Sequence, residues 1–404
     1  MTKEQEFLLR LCSTFFGGEV DEVPEGLTFD ALLSEARQQT VAGLVFEKVW
    51  PFMKGSQAGQ AWKMQYVREL QNSSIIFAAH NQVHELFTKE NIPYVVLKGC
   101  ASAHYYSKPE NRTMGDVDVL VKDEDEKRAV ELMVSQGFVA KEKSEKSVHT
   151  ELLKEDFHVE IHNAFIRLED QNIQKTVDEY LSDVIERAEP VTEGEEQKTT
   201  FRMPQPFHHG LIITLHTIKH HLKGSGTGLR HLMDLAFFYD SFSDEEFEKL
   251  FKEKFKAIGI WKFTEIMKGL CNYCLFAKDN EEISQEDEEF YGAILEDIFD
   301  GGNFARKDAL NRNAGLRIIS EASEKDKKTG IIGIIKATNK VGGSVFPFMG
   351  ENPFLKHVAW IPYGFRYIYR VATKKARFVN PVTAFDTAKD RENLKGRFKL
   401  FDPE

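Results

Sequence analysis

Residues 115–121 read GDVDVLV. In a strand, alternate side chains share a face. Val117, Val119 and Val121 then turn to a core, while Asp116 and Asp118 turn out together. Two carboxylates held this close repel each other unless a cation lies between them. The segment therefore calls for a sheet with one covered apolar face and a positive partner on the other. A divalent metal meets the second demand. Mg2+, or Mn2+ in its place, takes oxygen ligands and usually draws several of them from a substrate's phosphates.

A third carboxylate follows downstream. In FHVEIHNAF, Phe157, Val159 and Ile161 take one face, and His158, Glu160 and His162 take the other. If this strand lies beside the first, Glu160 completes a three-carboxylate cluster able to hold two metal ions, which clamp the attacking and leaving oxygens of a phosphoryl group. Upstream, VVLKGCASAHYY runs strand, Lys98, Gly99, helix. Gly99 lets the backbone approach a ligand with no Cβ in the way. The helix N-terminus presents free N–H groups to an anion. Ser102 adds a hydroxyl, and Lys98 and Arg112 add positive charge.

The ordered set LKGCASAHYY, NRTMGDVDVLV and HVEIH resembles the nucleotidyltransferase superfamily related to DNA polymerase beta. Within it, the chain is most similar to a bacterial group of uncharacterised nucleotidyltransferases. The resemblance covers roughly residues 73–165 and extends through LHTIKHH and LRHLMDL to about residue 240. It implies that Gly99 is the signature glycine, that Asp116 and Asp118 bind both metals, and that Glu160 binds the metal nearer the acceptor and helps deprotonate it. Gly99, Ser102, Lys98 and Arg112 would hold the triphosphate of an NTP, ATP among the candidates. The superfamily commonly has Gly-Gly or Gly-Ser at the first position, whereas here Gly99 is followed by Cys100, so the phosphate grip differs. The implied activity is metal-dependent transfer of an NMP to an acceptor: a small molecule, glycan, RNA or protein. The alternative is an inactive module of the same fold that binds a nucleotide or a partner protein.

Along the chain the order is helices, then a mixed helix–strand stretch, then helices again. The expected fold is α+β: a nucleotidyltransferase-like mixed sheet at 73–200, flanked by an N-terminal helical region at 1–72, a helical domain at 201–300 and a basic region at 301–404. A helix is expected over 73–90, with Ser73 at its start. KGSGTG at 223–228 reads as a flexible connection. The net charge is −11, yet residues 301–404 hold 20 Lys and Arg against 10 Asp and Glu. Such a tail either docks on an acidic body or binds a polyanion. Its segment FRYIYRVATKKARF reads as a basic, aromatic helix.

Histidines crowd residues 208–231. HTIKH has Thr217 where a zinc protease motif needs Glu, so this cluster is not read as a zinc site. His216, His220, Arg230 and Asp234, with His162, are instead expected to line a cleft for a base, ribose or acceptor. The pair Cys271 and Cys274 reads as ordinary buried thiols. Four cysteines are too few for a disulfide framework, and the start MTKEQEFLLRLCSTFFGGE lacks the features of a secretory leader. No window approaches ~18 uninterrupted apolar residues. The expected location is the cytoplasm.

Overall fold

A computed structural model of the chain describes residues 1–143, 147–194, 198–222, 227–277, 283–303, 345–373 and 396–403, with the isolated positions 339, 342 and 343. The chain forms two compact units. One holds residues 1–216, 230–283 and 399–404; the other holds 217–229 and 284–398.

The first unit begins with helices α1 (Lys3–Ser13), α2 (Phe29–Gln38) and α3 (Phe46–Met53). Thr2 and Gln5 cap α1 reciprocally, each side chain bonding the other's backbone N–H. Helix α4 then runs unbroken over Gln57–Lys89, for 33 residues. Its N-cap is Ser56, whose hydroxyl accepts from the Gly59 N–H at 3.0 Å. The expected start at Ser73 is therefore corrected. Ser73 is buried in mid-helix and its hydroxyl bonds the Glu110 carbonyl at 2.8 Å, so it serves a tertiary contact and not a cap. The region boundary drawn at 72/73 falls inside this helix.

The sheet strands are β1 (Tyr94–Val96), β2 (Val117–Val121), β3 (Val139–Ala140), β4 (His149–Lys154) and β5 (Phe157–His162), in spatial order β1-β2-β5-β4-β3. β2 and β5 are parallel, while β1–β2, β5–β4 and β4–β3 are antiparallel. Between β2 and β5 the chain makes α6 (Asp123–Ser135). The apolar alternation of β2 and β5 is satisfied by one core. Val117, Val119, Val121, Val159 and Ile161 pack with Ile76, Phe77, Val83 and Phe87 of α4 and with Ala129 and Met133 of α6. Each such side chain contributes roughly 1.5–3 kcal/mol on full burial. A hairpin, β6 (Glu189–Glu193) with β7 (Thr199–Met203), adds Phe201 and Met203 to this core.

Downstream lie α8 (Pro206–Leu222), α9 (Leu229–Asp240), α10 (Asp244–Ala257) and α11 (Trp261–Cys274); a further helix, α7 (Gln171–Tyr180), precedes the hairpin. Gly210 on α8 is needed for close packing: a Cβ there would sit 2.5 Å from the Phe251 ring and 2.8 Å from that of Phe238. Cys271 is buried, Cys274 is half-buried, and both are free thiols.

In the second unit, α12 (Gln285–Gly301) is capped by Ser284 and buries Phe290, Ile294, Leu295, Ile298 and Phe299. The Arg397 guanidinium lies 3.8 Å over the Phe290 ring. Helices α13 (Pro347–Glu351) and α14 (Trp360–Ala372) follow. The expected basic helix is therefore seen as α14, but Lys374, Lys375 and Arg377, like most of KGSGTG, lie outside the described residues. No helix among the described residues is long and apolar enough to cross a membrane.

Candidate active site

The parallel pairing of β2 with β5 sets Asp118 directly opposite Glu160. Because both belong to the same ladder rung, both side chains leave the sheet on the face away from the valine core. Asp116, two residues earlier, projects beside them. One carboxylate oxygen from each of Asp116, Asp118 and Glu160 lies within 4.8 Å of the others. The expected outward face of β2 is not open to solvent: Asp118 is only 1% exposed.

Two basic side chains already attend Asp118. Lys98 Nζ stands 3.0 Å from Oδ2, and His162 Nε2 stands 3.1 Å from Oδ1. Burial alone would raise the Asp118 pKa, but Lys98 and His162 overcome it and hold the carboxyl far below its usual range. Asp116 moves the other way. Repulsion from Asp118, with burial, raises it to about 6. The pair therefore titrates as a unit, one member readily charged and the other reluctant. Burial works against charge on Lys98, yet Asp118 and Asp116 raise its pKa. Burial likewise opposes charge on His162, but its contacts with Asp118 and Glu160 raise its pKa.

Gly99 closes the turn after β1 at φ +62° and ψ −109°, the mirror image of extended backbone. Only glycine adopts this at little cost. The turn keeps Lys98 beside Asp118. The helix expected over 99–106 is shorter than its sequence suggested. It ends at Ala103 as α5 (Cys100–Ala103), one turn, and Tyr105 and Tyr106 lie beyond it. Ser102 is buried, with Oγ 3.4 Å from His209 Nε2.

The loop that delivers Asp116 is clamped along its length. From α4, Tyr66 Oη donates to Asn111 Oδ1 at 3.1 Å and Asn72 Nδ2 donates to the Met114 carbonyl at 2.6 Å. Thr113 Oγ1 donates to Glu69 Oε2 at 3.0 Å. From α9, Asp234 grips Arg112 through both oxygens, at 2.7 Å to Nε and 2.8 Å to Nη2, and accepts from Tyr106 Oη at 2.7 Å. Arg230 Nη1 lies 3.7 Å from Asp234 Oδ2. Burial would raise the Asp234 pKa, but Arg112 outweighs it and lowers the value. The Arg112 guanidinium, read as a phosphate ligand, is thus buried and engaged by Asp234. Arg230 and Asp234, read as cleft residues, belong to the same buried brace. Asp116 is among the charges that act on Arg230. His216 is half-buried, its ring 5.9 Å from that of His231. The side chain of His220 lies outside the described residues.

Pairing across the sheet also brings in residues that one strand's periodicity does not reveal. Glu151 and His149 on β4 sit opposite Glu160 and His162 on β5. Glu151 is held by Lys141 at 2.5 Å. His149 Nδ1 lies 3.7 Å from Glu160 Oε2 and His158 Nε2 lies 3.9 Å from Glu160 Oε1. Beneath Gly99, a buried His80 leaves Nε2 without a hydrogen-bond partner, and burial lowers its pKa to about 4. The alternation of HVEIH put His158 and His162 on the face of Glu160. Only the β4–β5 register adds His149 and Glu151.

The donor set suits a hard divalent cation. Three carboxylates converge with their mutual repulsion only partly balanced, which is visible in the raised Asp116. No curated protein and no solved structure matches the chain. A family model described as "Uncharacterised nucleotidyltransferase" matches residues 25–276, which takes in helices α2 to α4, all five strands and the brace from α9. With more than half its length under that match, the chain belongs to the uncharacterised nucleotidyltransferase family.

Proposed function

We propose that the protein transfers an NMP from an NTP to the hydroxyl, or a similar group, of an acceptor. The observation that carries this reading is the convergence of Asp116, Asp118 and Glu160 from two parallel strands beside the Gly99 turn. Asp116, Asp118 and Glu160 would hold Mg2+ or Mn2+, whose charge neutralises the phosphate oxygens as the leaving group departs. Glu160 accepts the acceptor proton. The acceptor oxygen bonds to the α-phosphorus, the bond from that phosphorus to the β-phosphate oxygen breaks, and pyrophosphate leaves. Lys98 and the backbone at Gly99 face the triphosphate, with Ser102 and Arg112 setting the walls behind them. His162, His216 and His220 are assigned to the nucleotide or acceptor side, and Arg230 and Asp234 to its buried support. As part of the same reading the protein works in the cytoplasm, which four free cysteines support.

The test is release of pyrophosphate and transfer of α-phosphate label from each of the four NTPs into a cell extract. Metal-dependent labelling that is lost in Asp116→Asn and Asp118→Asn is the expected result. No label together with no NTP binding in calorimetry would overturn the reading. A second reading, a nucleotide-binding module without catalysis, is favoured by one observation. Lys98 already pairs with Asp118, so the site has a charge-paired resting arrangement. It predicts NTP binding that survives both substitutions.

A further inference from the structure

We propose that His149, His162 and Glu160 form a nitrogen-containing site for a borderline divalent metal of the Zn2+ class, adjoining the carboxylate cluster. The proposal deepens the reading above, because Glu160 belongs to both groups. It starts from the β4–β5 register, which sets His149 opposite His162 on the face that carries Glu160. One ligand atom from each of the three side chains lies within 4.8 Å of the others.

The individual gaps are close to what a four-coordinate ion needs. Ligand atoms about 2.0–2.2 Å from Zn2+ in a tetrahedron stand roughly 3.3–3.6 Å apart. His162 Nε2 is 3.3 Å from Glu160 Oε2, and His149 Nδ1 is 3.7 Å from the same oxygen. Asp118 Oδ1 lies 3.1 Å from His162 Nε2, at the edge of the group, and a water or substrate atom would supply the fourth position, as in open zinc sites. His162 is buried to 7% exposure with Nε2 aimed into this group, while His149 is 29% exposed and leaves an entry path.

Charge argues the same way. Glu160 stands between two other carboxylates across the sheet, Asp118 on β2 and Glu151 on β4. Like charges directly opposite on neighbouring strands are destabilising. Lys141 answers Glu151 and Lys98 answers Asp118. Around Glu160 the partners are imidazoles instead: His149, His158 and His162. Imidazole favours Zn2+ and similar ions, whereas Mg2+ favours oxygen donors alone. The two groups thus sort two kinds of ion across one shared carboxylate, Glu160.

The test uses the full-length protein freed of metal with a chelator. Zn2+ is titrated by calorimetry, and Co2+ by its visible absorption, which is strong only at low coordination number. The expected result is one Zn2+ or Co2+ per chain. Its affinity should fall in His149→Gln by at least the roughly tenfold that loss of a mere supporting group costs. His149 is a partly exposed strand residue, so this variant should keep its far-UV circular dichroism. His162→Gln provides a second, more buried check, scored only if it keeps that spectrum. No Zn2+ or Co2+ binding by the wild type, or binding unchanged by His149→Gln, overturns the proposal. Asp116→Asn separates it from the function above: Mn2+–NTP binding should fall while Co2+ absorption persists. Should NTP binding fail altogether while His149-dependent Co2+ absorption remains, the nucleotidyl-transfer reading falls and the metal site stands.

Discussion

Replacing Asp234 by Asn should destabilise the protein more than removing the arginine it holds. Asp234 carries two charge-assisted bonds from Arg112 and one from Tyr106, all between 2.7 and 2.8 Å, and lies near Arg230. At an effective dielectric of about 20, opposite charges about 4 Å apart attract by roughly 4 kcal/mol, much of it offset by desolvation. Asp234→Asn removes that attraction and leaves the buried Arg112 guanidinium without the carboxylate that grips it. Breaking a buried pair in this way costs about 3–5 kcal/mol. Arg112→Met leaves a different remainder. Asp234 keeps Arg230 at 3.7 Å and the Tyr106 hydroxyl, so about 1.5–3 kcal/mol, the worth of the lost charged hydrogen bonds, is expected. The double variant Arg112→Met with Asp234→Leu should recover part of the single Asp234→Asn loss, since no bare charge remains at Arg112. Urea unfolding followed by tryptophan fluorescence measures all three. If Asp234→Asn costs under about 1 kcal/mol, or less than Arg112→Met, then the asymmetry argued from Arg230 is wrong. Because Arg112 lies four residues before Asp116, Asp234→Asn should also weaken Mn2+ binding.

Four further outcomes follow from the same geometry. Gly99→Ala should cost about 1–3 kcal/mol in thermal or urea unfolding, the usual strain of an L residue in such a backbone region. The added Cβ meets nothing closer than 3.5 Å, so an unchanged stability would mean that the turn relaxes. His209 is fully buried and burial lowers its pKa from 6.5 to about 3. Between those values the unfolded chain binds a proton that the native chain does not, so stability falls as pH drops below 6.5, by about 2 kcal/mol at pH 5. His80 acts in the same sense, so His209→Phe, which keeps a ring stacked on Tyr105, should remove only part of the acid slope in unfolding midpoints between pH 7 and 5. Ser56→Ala should cost about 0.5–2 kcal/mol as a lost N-cap, and Ser73→Ala should instead reduce the ordering of the 109–114 loop, seen as faster amide exchange there.

Much of the carboxylate cluster was legible because it depends on strand alternation. DVDVLV and FHVEIH each state which side chains share a face, and parallel pairing needed only to bring the two faces together. What alternation does not encode is partnership across distance. Arg112 reads as an available cation until Asp234, 122 residues later, is seen to hold it. Ser73 reads as a helix start because Asn72 and Ser73 form a polar break in an apolar pattern. In the fold both turn toward the loop before β2 and bond its carbonyls. His149 was hidden because its relation to Glu160 rests on the register of a hairpin whose intervening residues carry no chemical mark. The residues 99–106 read as a helix opened by a glycine, yet Pro109 follows within a turn of Tyr106 and the α-helix ends at Ala103, with His104 as its cap.

Helix α4 has a consequence for how the molecule can be divided. Its first half packs with the amino-terminal helices, its middle ties down the approach to Asp116, and its last turns form the rear wall behind the valines of β2. A fragment beginning at residue 73 would sever this rod, strip Tyr66, Glu69 and Asn72 from the chain they steady, and leave the acidic trio on a slackened tether. The amino-terminal seventy residues are thus less an appendage than the spine on which the chemistry is mounted.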